Sequence, residues 1–203
     1  NFCRAQLLTE TAGTAAYSIT GATILVDSND YLLIRKAADL LASDLQTVTL
    51  KQAPISNHTF NAKRIAIIIG TADRSALIKE LVQQKKISIT DLKSNWEAYS
   101  IQTVKNPFKG IDQALVIMGS DRRGAAFGVF ELSKQMGVSP WHWWADVPVQ
   151  QKKEIYIRSN IEIKDAPKVK YRGIFINDEA PALSNWSREK FGGFNHLFYE
   201  KVF

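Results

Sequence analysis

The sequence predicts an α/β protein: a three-layer N-terminal domain with a mixed β-sheet, followed by a strand–helix unit that opens a second domain. Three observations predict it. Strand-like and helix-like segments alternate from Ala22 to about Ser159, the pattern of a sheet covered by helices. Asn160 to Lys170 is charged, contains Pro167 and carries no apolar pattern beyond Ile161 and Ile163, which reads as a passage between domains. A short apolar run, Gly173 to Ile176, then ends in Asn177, Asp178, Glu179 and Pro181. The expected boundaries are residues 1–160 for the first domain and 161–203 for the start of the second.

The elements follow from local pattern. Ala22 to Val26 is a strand bounded by Gly21 and by Asp27-Ser28-Asn29-Asp30, a run suited to cap the helix that follows. From Tyr31 to about Gln46, Leu33, Ala37, Leu40, Leu41 and Leu45 recur at helical spacing. Val48 to Lys51 reads as a short strand and Gln52 to Ala62 as a loop. Arg64 to Ile69 is a strand; Gly70 to Asp73 opens a second helix with Leu77, Ile78, Leu81 and Val82 on one face and Lys85-Lys86 at its end. Trp96 to Val104 and Ala114 to Met118 are strands whose short connection makes them an antiparallel pair. Gly119-Ser120-Asp121 caps a third helix, Arg122 to Met136, with Ala125, Val129, Leu132 and Met136 inward and Gly137 at a left-handed C-cap. Small Ala126 and Gly128 let that helix lie close to the sheet. Glu154 to Arg158 is one more strand.

The last segments read as a strand at Tyr171–Asn177, a loop, and a helix capped by Asn195. Phe194 and Tyr199 stand at the positions of a hydrophobic staple. A single strand–helix unit cannot bury its own face, so the sequence reads as cut off. Ile174, Phe175, Phe191, Phe198 and Tyr199 are expected to be poorly covered unless they pack on the first domain or another chain.

Composition narrows the function classes. Hydrophobic residues make up 45% and charged residues 23%, which argues against disorder. No run of about 18 apolar residues occurs, so no membrane span is read. The first residues lack a signal-peptide pattern, which fits either a cytosolic protein or a chain that begins after a removed signal. Cys3 is the single cysteine, and His58, His142 and His196 lack metal-ligand spacing. Neither an intrachain disulfide nor a metal cofactor is expected. The net charge of +6 is spread in short pairs such as Lys85-Lys86 and Arg122-Arg123. Without a basic helix or an RNA-binding aromatic signature, it reads as solubility rather than as a nucleic-acid surface.

Three constellations carry chemistry. Gly119-Ser120-Asp121-Arg122-Arg123-Gly124 has P-loop glycine spacing, but Ala125 and Ala126 stand where Lys and Ser/Thr are needed, so no nucleotide cofactor is expected. Arginines at a helix start oppose its dipole and call for a carboxylate partner, from Asp121 or a neighbouring domain; an interdomain role for Arg122 follows. Pro140 to Pro148 holds Trp141, Trp143 and Trp144, three of five tryptophans. They form either an interdomain anchor or a carbohydrate platform, with His142 as a hydrogen-bonded neighbour. Asn177, Asp178 and Glu179 end an apolar strand, where parallel α/β barrels place ligand contacts; capping the next helix is the plainer alternative. Alternation puts Ile174, Ile176 and Asp178 on one face and Phe175, Asn177 and Glu179 on the other.

The stretches beginning at Gly119, Tyr171 and Asn185 (GSDRRGAAFGVFELSKQMGVSPWHWWADVPV, YRGIFINDEAPAL and NWSREKFGGFNHLFYEKVF) closely resemble glycoside hydrolase family 115, the xylan α-1,2-glucuronidases. The resemblance is dense from about Trp96 onward. It implies that Tyr171–Asn177 is the first strand of a catalytic (β/α)₈ barrel, here incomplete, and that hydrolysis proceeds with inversion. It places the catalytic acid and base beyond Phe203, with Asn177, Asp178 and Glu179 as substrate-binding groups for glucuronate. It also implies export to the periplasm or outside the cell, and as partners glucuronic-acid-decorated xylan and the rest of the barrel; homo-oligomerisation is left open. The fragment alone is expected to be inactive. A non-catalytic accessory or carbohydrate-binding module is the alternative.

Overall fold

The computed structural model describes residues 6–9, 11, 13, 15–144, 147–177 and 179–202; the side chains of Lys93, Trp143 and Trp144 lie outside that description. The chain separates into two compact units, Asn1–Pro167 and Lys168–Phe203.

In the first unit the strands are β1 (Leu8–Thr9), β2 (Ala16–Ser18), β3 (Thr23–Val26), β4 (Ile55–Ser56), β5 (Ile65–Thr71), β6 (Tyr99–Lys105), β7 (Gln113–Gly119), β8 (Tyr156–Arg158) and β9 (Glu162–Asp165). The helices are α1 (Leu32–Thr49), α2 (Ala76–Gln83), α3 (Thr90–Lys93), α4 (Arg122–Met136) and α5 (Trp141–Trp144). The main sheet has the order β4-β3-β5-β7-β6-β9. Its first four strands are parallel, and β6 runs antiparallel to both β7 and β9. The sheet is therefore mixed, and β6 and β7 pair as the short connection between them requires.

Strand alternation divides the core in two. Ile24, Val26, Ile67, Ile69, Leu115 and Ile117 pack with α1 and α4, while Leu25, Ala66, Ile68, Val116 and Met118 pack with α2 and α3. Helices thus cover both faces, as a largely parallel sheet needs. The three short strands β1, β8 and β2 form a second sheet whose Leu8, Tyr17 and Ile157 join the α1/α4 side of the core.

Gly128 explains how α4 sits so close: a Cβ there would come 2.7 Å from Ile117 Cγ2. Gly124 is tighter still, with a virtual Cβ 2.1 Å from the carbonyl oxygen of Ala98. Asp121 caps α4, its Oδ1 accepting the N–H groups of Arg123 and Gly124 at 2.9 Å and its Oδ2 that of Glu97 at 2.7 Å. Gly137 ends the helix at φ 100°.

Several local expectations are corrected. Val48 to Lys51 is not a strand: Val48 and Thr49 belong to the end of α1, with Leu50 as a left-handed cap. Thr49 Oγ1 donates back to the Leu45 carbonyl, and Val48 is fully buried, so packing overrides the β-branched pattern. The buried face of α1 is also turned, using Ile34 and Ala38, while Leu33 and Leu40 are exposed. The following loop contains β4. The second helix begins only at Ala76, because β5 continues through Thr71 and Ser75 supplies the cap. Lys85 and Lys86 close that helix through their backbone N–H groups, which donate to the Val82 and Leu81 carbonyls, while the Lys86 ammonium donates instead to the carbonyls of Asn106 and Pro107. Asn160 to Lys170 is not simply a passage: β9 pairs with β6 through Ile163, which is buried, so the first unit extends past residue 160.

The second unit holds α6 (Ala182–Phe191) and α7 (His196–Val202). The first of these was expected to be loop; it ends at Gly192, which is left-handed (φ 77°). Asn195 caps α7 as expected, its Oδ1 accepting from Phe198 N. Phe198 is completely buried rather than poorly covered, because the rings of Trp186, Phe191, Phe194 and Tyr199 surround it. Phe194 meets Phe198 edge-on at 5.2 Å, a ring pairing one position short of the expected staple.

Candidate functional site

Residues 171–177 form no regular secondary structure, so the strand expected there is absent. A strand needs a neighbour to take its N–H and C=O groups, and no strand of the described residues pairs with this segment. Two of its apolar side chains stay in solvent, Phe175 at 91% exposed and Ile174 at 64%, while Ile176 is half-buried. The two-face alternation consequently has no expression. Asn177 Oδ1 accepts the Glu179 N–H at 3.2 Å, a local turn that holds these two residues together. Asn177 and Glu179 are both exposed. Asp178, the third residue of the expected cluster, lies outside the described residues.

Trp141 and His142 lie on α5, where Trp141 is 62% exposed. His142 does make a hydrogen-bonded contact, Nδ1 to the Val147 carbonyl at 3.2 Å. Trp143 and Trp144 belong to the same helical turn by backbone.

At the α4 start the expected need for a carboxylate is met for Arg123, whose Nη1 lies 2.8 Å from Glu97 Oε1 within the same unit. Arg122 takes another course. Its guanidinium carbon stands 5.7 Å from the centre of the Tyr31 ring, and that of Arg74 stands 4.2 Å from the same centre. These are cation–π distances. Among the described residues, no group of three or more His, Cys, Asp or Glu could hold a metal ion, and no helix is long and apolar enough to cross a membrane.

Tyr31 belongs to a cluster that local pattern did not reveal. The turns leaving the C-terminal ends of β3, β5 and β7 carry Asp27 to Tyr31, Ala72 to Ser75, and Ser120 and Asp121, with Arg122 opening α4. Asp30 accepts from Thr71 through both carboxylate oxygens, at 2.8 Å each, and from Tyr31 N at 2.7 Å. Asp27 accepts from Asn29 N and Ala76 N. The Tyr31 hydroxyl donates to Asp73 Oδ2 at 2.8 Å, and that bond raises the tyrosine's pKa above its ordinary value. Partial burial pushes Asp73 up, yet the Tyr31 hydroxyl and the Arg74 charge help bring it below the usual carboxylate range. Each residue separately looks like a cap or turn former; only the parallel sheet brings them together.

Residues 164–203 match the model for glycosyl hydrolase family 115. A solved family GH115 4-O-methyl-α-glucuronidase with specificity for decorated arabinogalactans is similar at 34% identity and a TM-score of 0.70, over 87% of this chain and 21% of that one. A GH20 β-N-acetylhexosaminidase from Streptomyces coelicolor A3(2) is far less similar, at 18% identity and a TM-score of 0.43, over 77% of this chain and 24% of that one. Comparison with curated proteins finds no match. The family model and the 34%-identical structure are both those of glycoside hydrolases. The chain belongs to glycoside hydrolase family 115, and it spans about a fifth of the length of the GH115 structure that it matches (21%).

Proposed function

We propose that this chain is the N-terminal part of an inverting α-glucuronidase that removes glucuronic acid or its 4-O-methyl ether from a plant polysaccharide. The observation that carries the reading is the family match over residues 164–203. That span contains Asn177 and Glu179 at the end of an apolar run whose Ile174 and Phe175 face solvent. In this reading Tyr171–Asn177 becomes the first strand of a (β/α)₈ barrel once later strands pair with it. The polar tip then lines the glucuronate pocket, as barrel enzymes place ligand groups at strand C-termini. Asp178 takes sugar hydroxyls, Asn177 serves either a hydroxyl or the carboxylate, and Glu179 orients a neighbouring arginine. Inversion requires an acid and a base carboxylate separated by roughly 6.5–9.5 Å, supplied by later strands.

The uronate side chain, rather than the backbone, defines the substrate class. Glucuronoxylan is the substrate implied by the family; the solved relative is specific for decorated arabinogalactans, and glucuronic acid is the part both substrates share. Such polymers do not enter cells, so export follows.

The test compares the 203-residue chain with a protein that continues into the full barrel. The longer protein is expected to release glucuronic acid from decorated xylo-oligosaccharide and the short chain to release none. In the longer protein, Glu179→Gln should lower kcat about a hundredfold, the scale of a misplaced substrate. Release by the short chain would overturn the need for later strands, and no release by the longer protein would overturn the activity.

A further inference from the structure

The C-terminal ends of the parallel strands in the first unit have the properties of a ligand site. There α1 leaves β3 on one face of the sheet and α2 leaves the neighbouring β5 on the other. The crevice created where successive crossovers part is the general ligand position in open α/β sheets. A cavity of about 580 Å³ opens beside it, lined by Asp27, Ser28, Asp30, Tyr31, Asn57 and Asn61 among others, a volume within the usual range for small-ligand sites.

A count of donors and acceptors gives the ligand class. The acidic groups here are already engaged: Asp30 accepts three hydrogen bonds from Thr71 and Tyr31, Asp27 accepts two from backbone amides, and Asp73 takes the Tyr31 hydroxyl. Arg35, also on the rim, is held by Asp39 at 3.2 Å. The donors are in the opposite state. The exposed guanidinium groups of Arg74 and Arg122 meet around the Tyr31 ring at cation–π distances, and Arg74 also lies in the field of the Asp73 carboxylate. Each guanidinium carries five N–H donors and no acceptor. The carboxamides of Asn57 and Asn61 border the cavity and add further donors.

We propose that this crevice binds a sugar acid, its carboxylate held by Arg74 and Arg122 and its hydroxyls by the cavity amides. Guanidinium and carboxylate match in planar, charge-assisted pairs, and a hexuronate is rich in acceptors where the crevice is rich in donors. The ligand class is read from these residues of the first unit and stands apart from the hydrolytic reading above.

The experiment is an NMR and calorimetric titration of the 203-residue chain with glucuronate, glucose and inorganic phosphate. Glucuronate is expected to saturate, to shift the side-chain amides of Asn57 and Asn61, and to bind about tenfold more weakly to Arg122→Gln and to Arg74→Gln, a loss of one charge-assisted hydrogen bond in each. Both arginines are exposed, and amide spectra of the free variants report whether each keeps the fold. Glucose should bind far more weakly. Phosphate binding as tight as glucuronate without Asn57 or Asn61 shifts would overturn the sugar assignment and leave a simple anion site. No saturable glucuronate binding, or binding unchanged in the double variant, would overturn the site altogether. Retention of the chain on an acidic protein surface in place of the sugar acid would do the same.

Discussion

Tyr31 bears more on the first unit than its position before a helix suggests. Its backbone N–H is tied to Asp30, its hydroxyl to Asp73, and two guanidinium groups lie around its ring. Replacing it by phenylalanine keeps the ring and removes only the hydroxyl. The Asp73 carboxyl should then titrate closer to its ordinary value, which carbon NMR of that carboxyl measures. The sign is determined by the depressed pKa in the native protein. A carboxylate lowered by folding adds stability above its unfolded pKa and loses it as pH falls through the folded one. The stability gap between the parent and Tyr31→Phe should therefore close on acidification below the usual carboxylate range. A gap unchanged in acid would mean that the hydroxyl does not act on Asp73.

The α4 helix shows how one element depends on missing atoms. Its first turn approaches the residue that leads into β6 so closely that a Cβ on Gly124 would lie 2.1 Å from the Ala98 carbonyl oxygen. A carbonyl cannot rotate away as a side chain can, so the helix or the segment leading into β6 must shift. Gly124→Ala is expected to cost about 3 kcal/mol, the upper part of the overpacking range, measured by urea unfolding. Gly173→Ala serves as the control: nothing lies within 4 Å of its virtual Cβ, and a change within roughly 0.5 kcal/mol is expected. Equal effects at the two positions would refute the packing argument. The same closeness explains the P-loop-like spacing of Gly119 and Gly124. Both glycines make room for backbone, since a Cβ on Gly119 would lie 2.1 Å from Ala125 N, and no phosphate is needed to account for them.

At the scale of the molecule the two units are stabilised in different ways. The first has a sheet with a core on each face. Among the described residues, the second rests on one buried phenylalanine surrounded by aromatic rings, little apolar burial for a unit so small. Phe198→Ala, which in a core typically costs about 3–5 kcal/mol, should abolish protection in α6 and α7. Hydrogen exchange would show this as fast exchange at those amides while β5 and β7 remain protected. Simultaneous loss in all four elements would show that the units fold as one.

Much of this architecture was legible from the sequence because its causes are local. Ile65 to Thr71 and Gln113 to Gly119 are apolar runs bounded by turn residues, and buried strands need little else. Asp121 and Gly137 bracket α4 through short-range hydrogen bonds that chain order alone specifies. The family resemblance likewise rests on the order of residues. Other features depended on neighbours distant in sequence. Val48 and Thr49 have strand-like side chains, yet the core takes them into α1. Ile163 looks isolated until β6 offers it an edge, and Gly173 to Ile176 looks like a strand but has no partner within the described residues to make it one. The cluster around Tyr31 was hidden for the same reason: Asp30, Asp73, Arg74 and Arg122 lie at three separate strand-to-helix junctions. A chain can state its own turns and caps, because those bonds span a few residues; which loops meet is decided by the parallel order of β3, β5 and β7 and by the burial that holds them there.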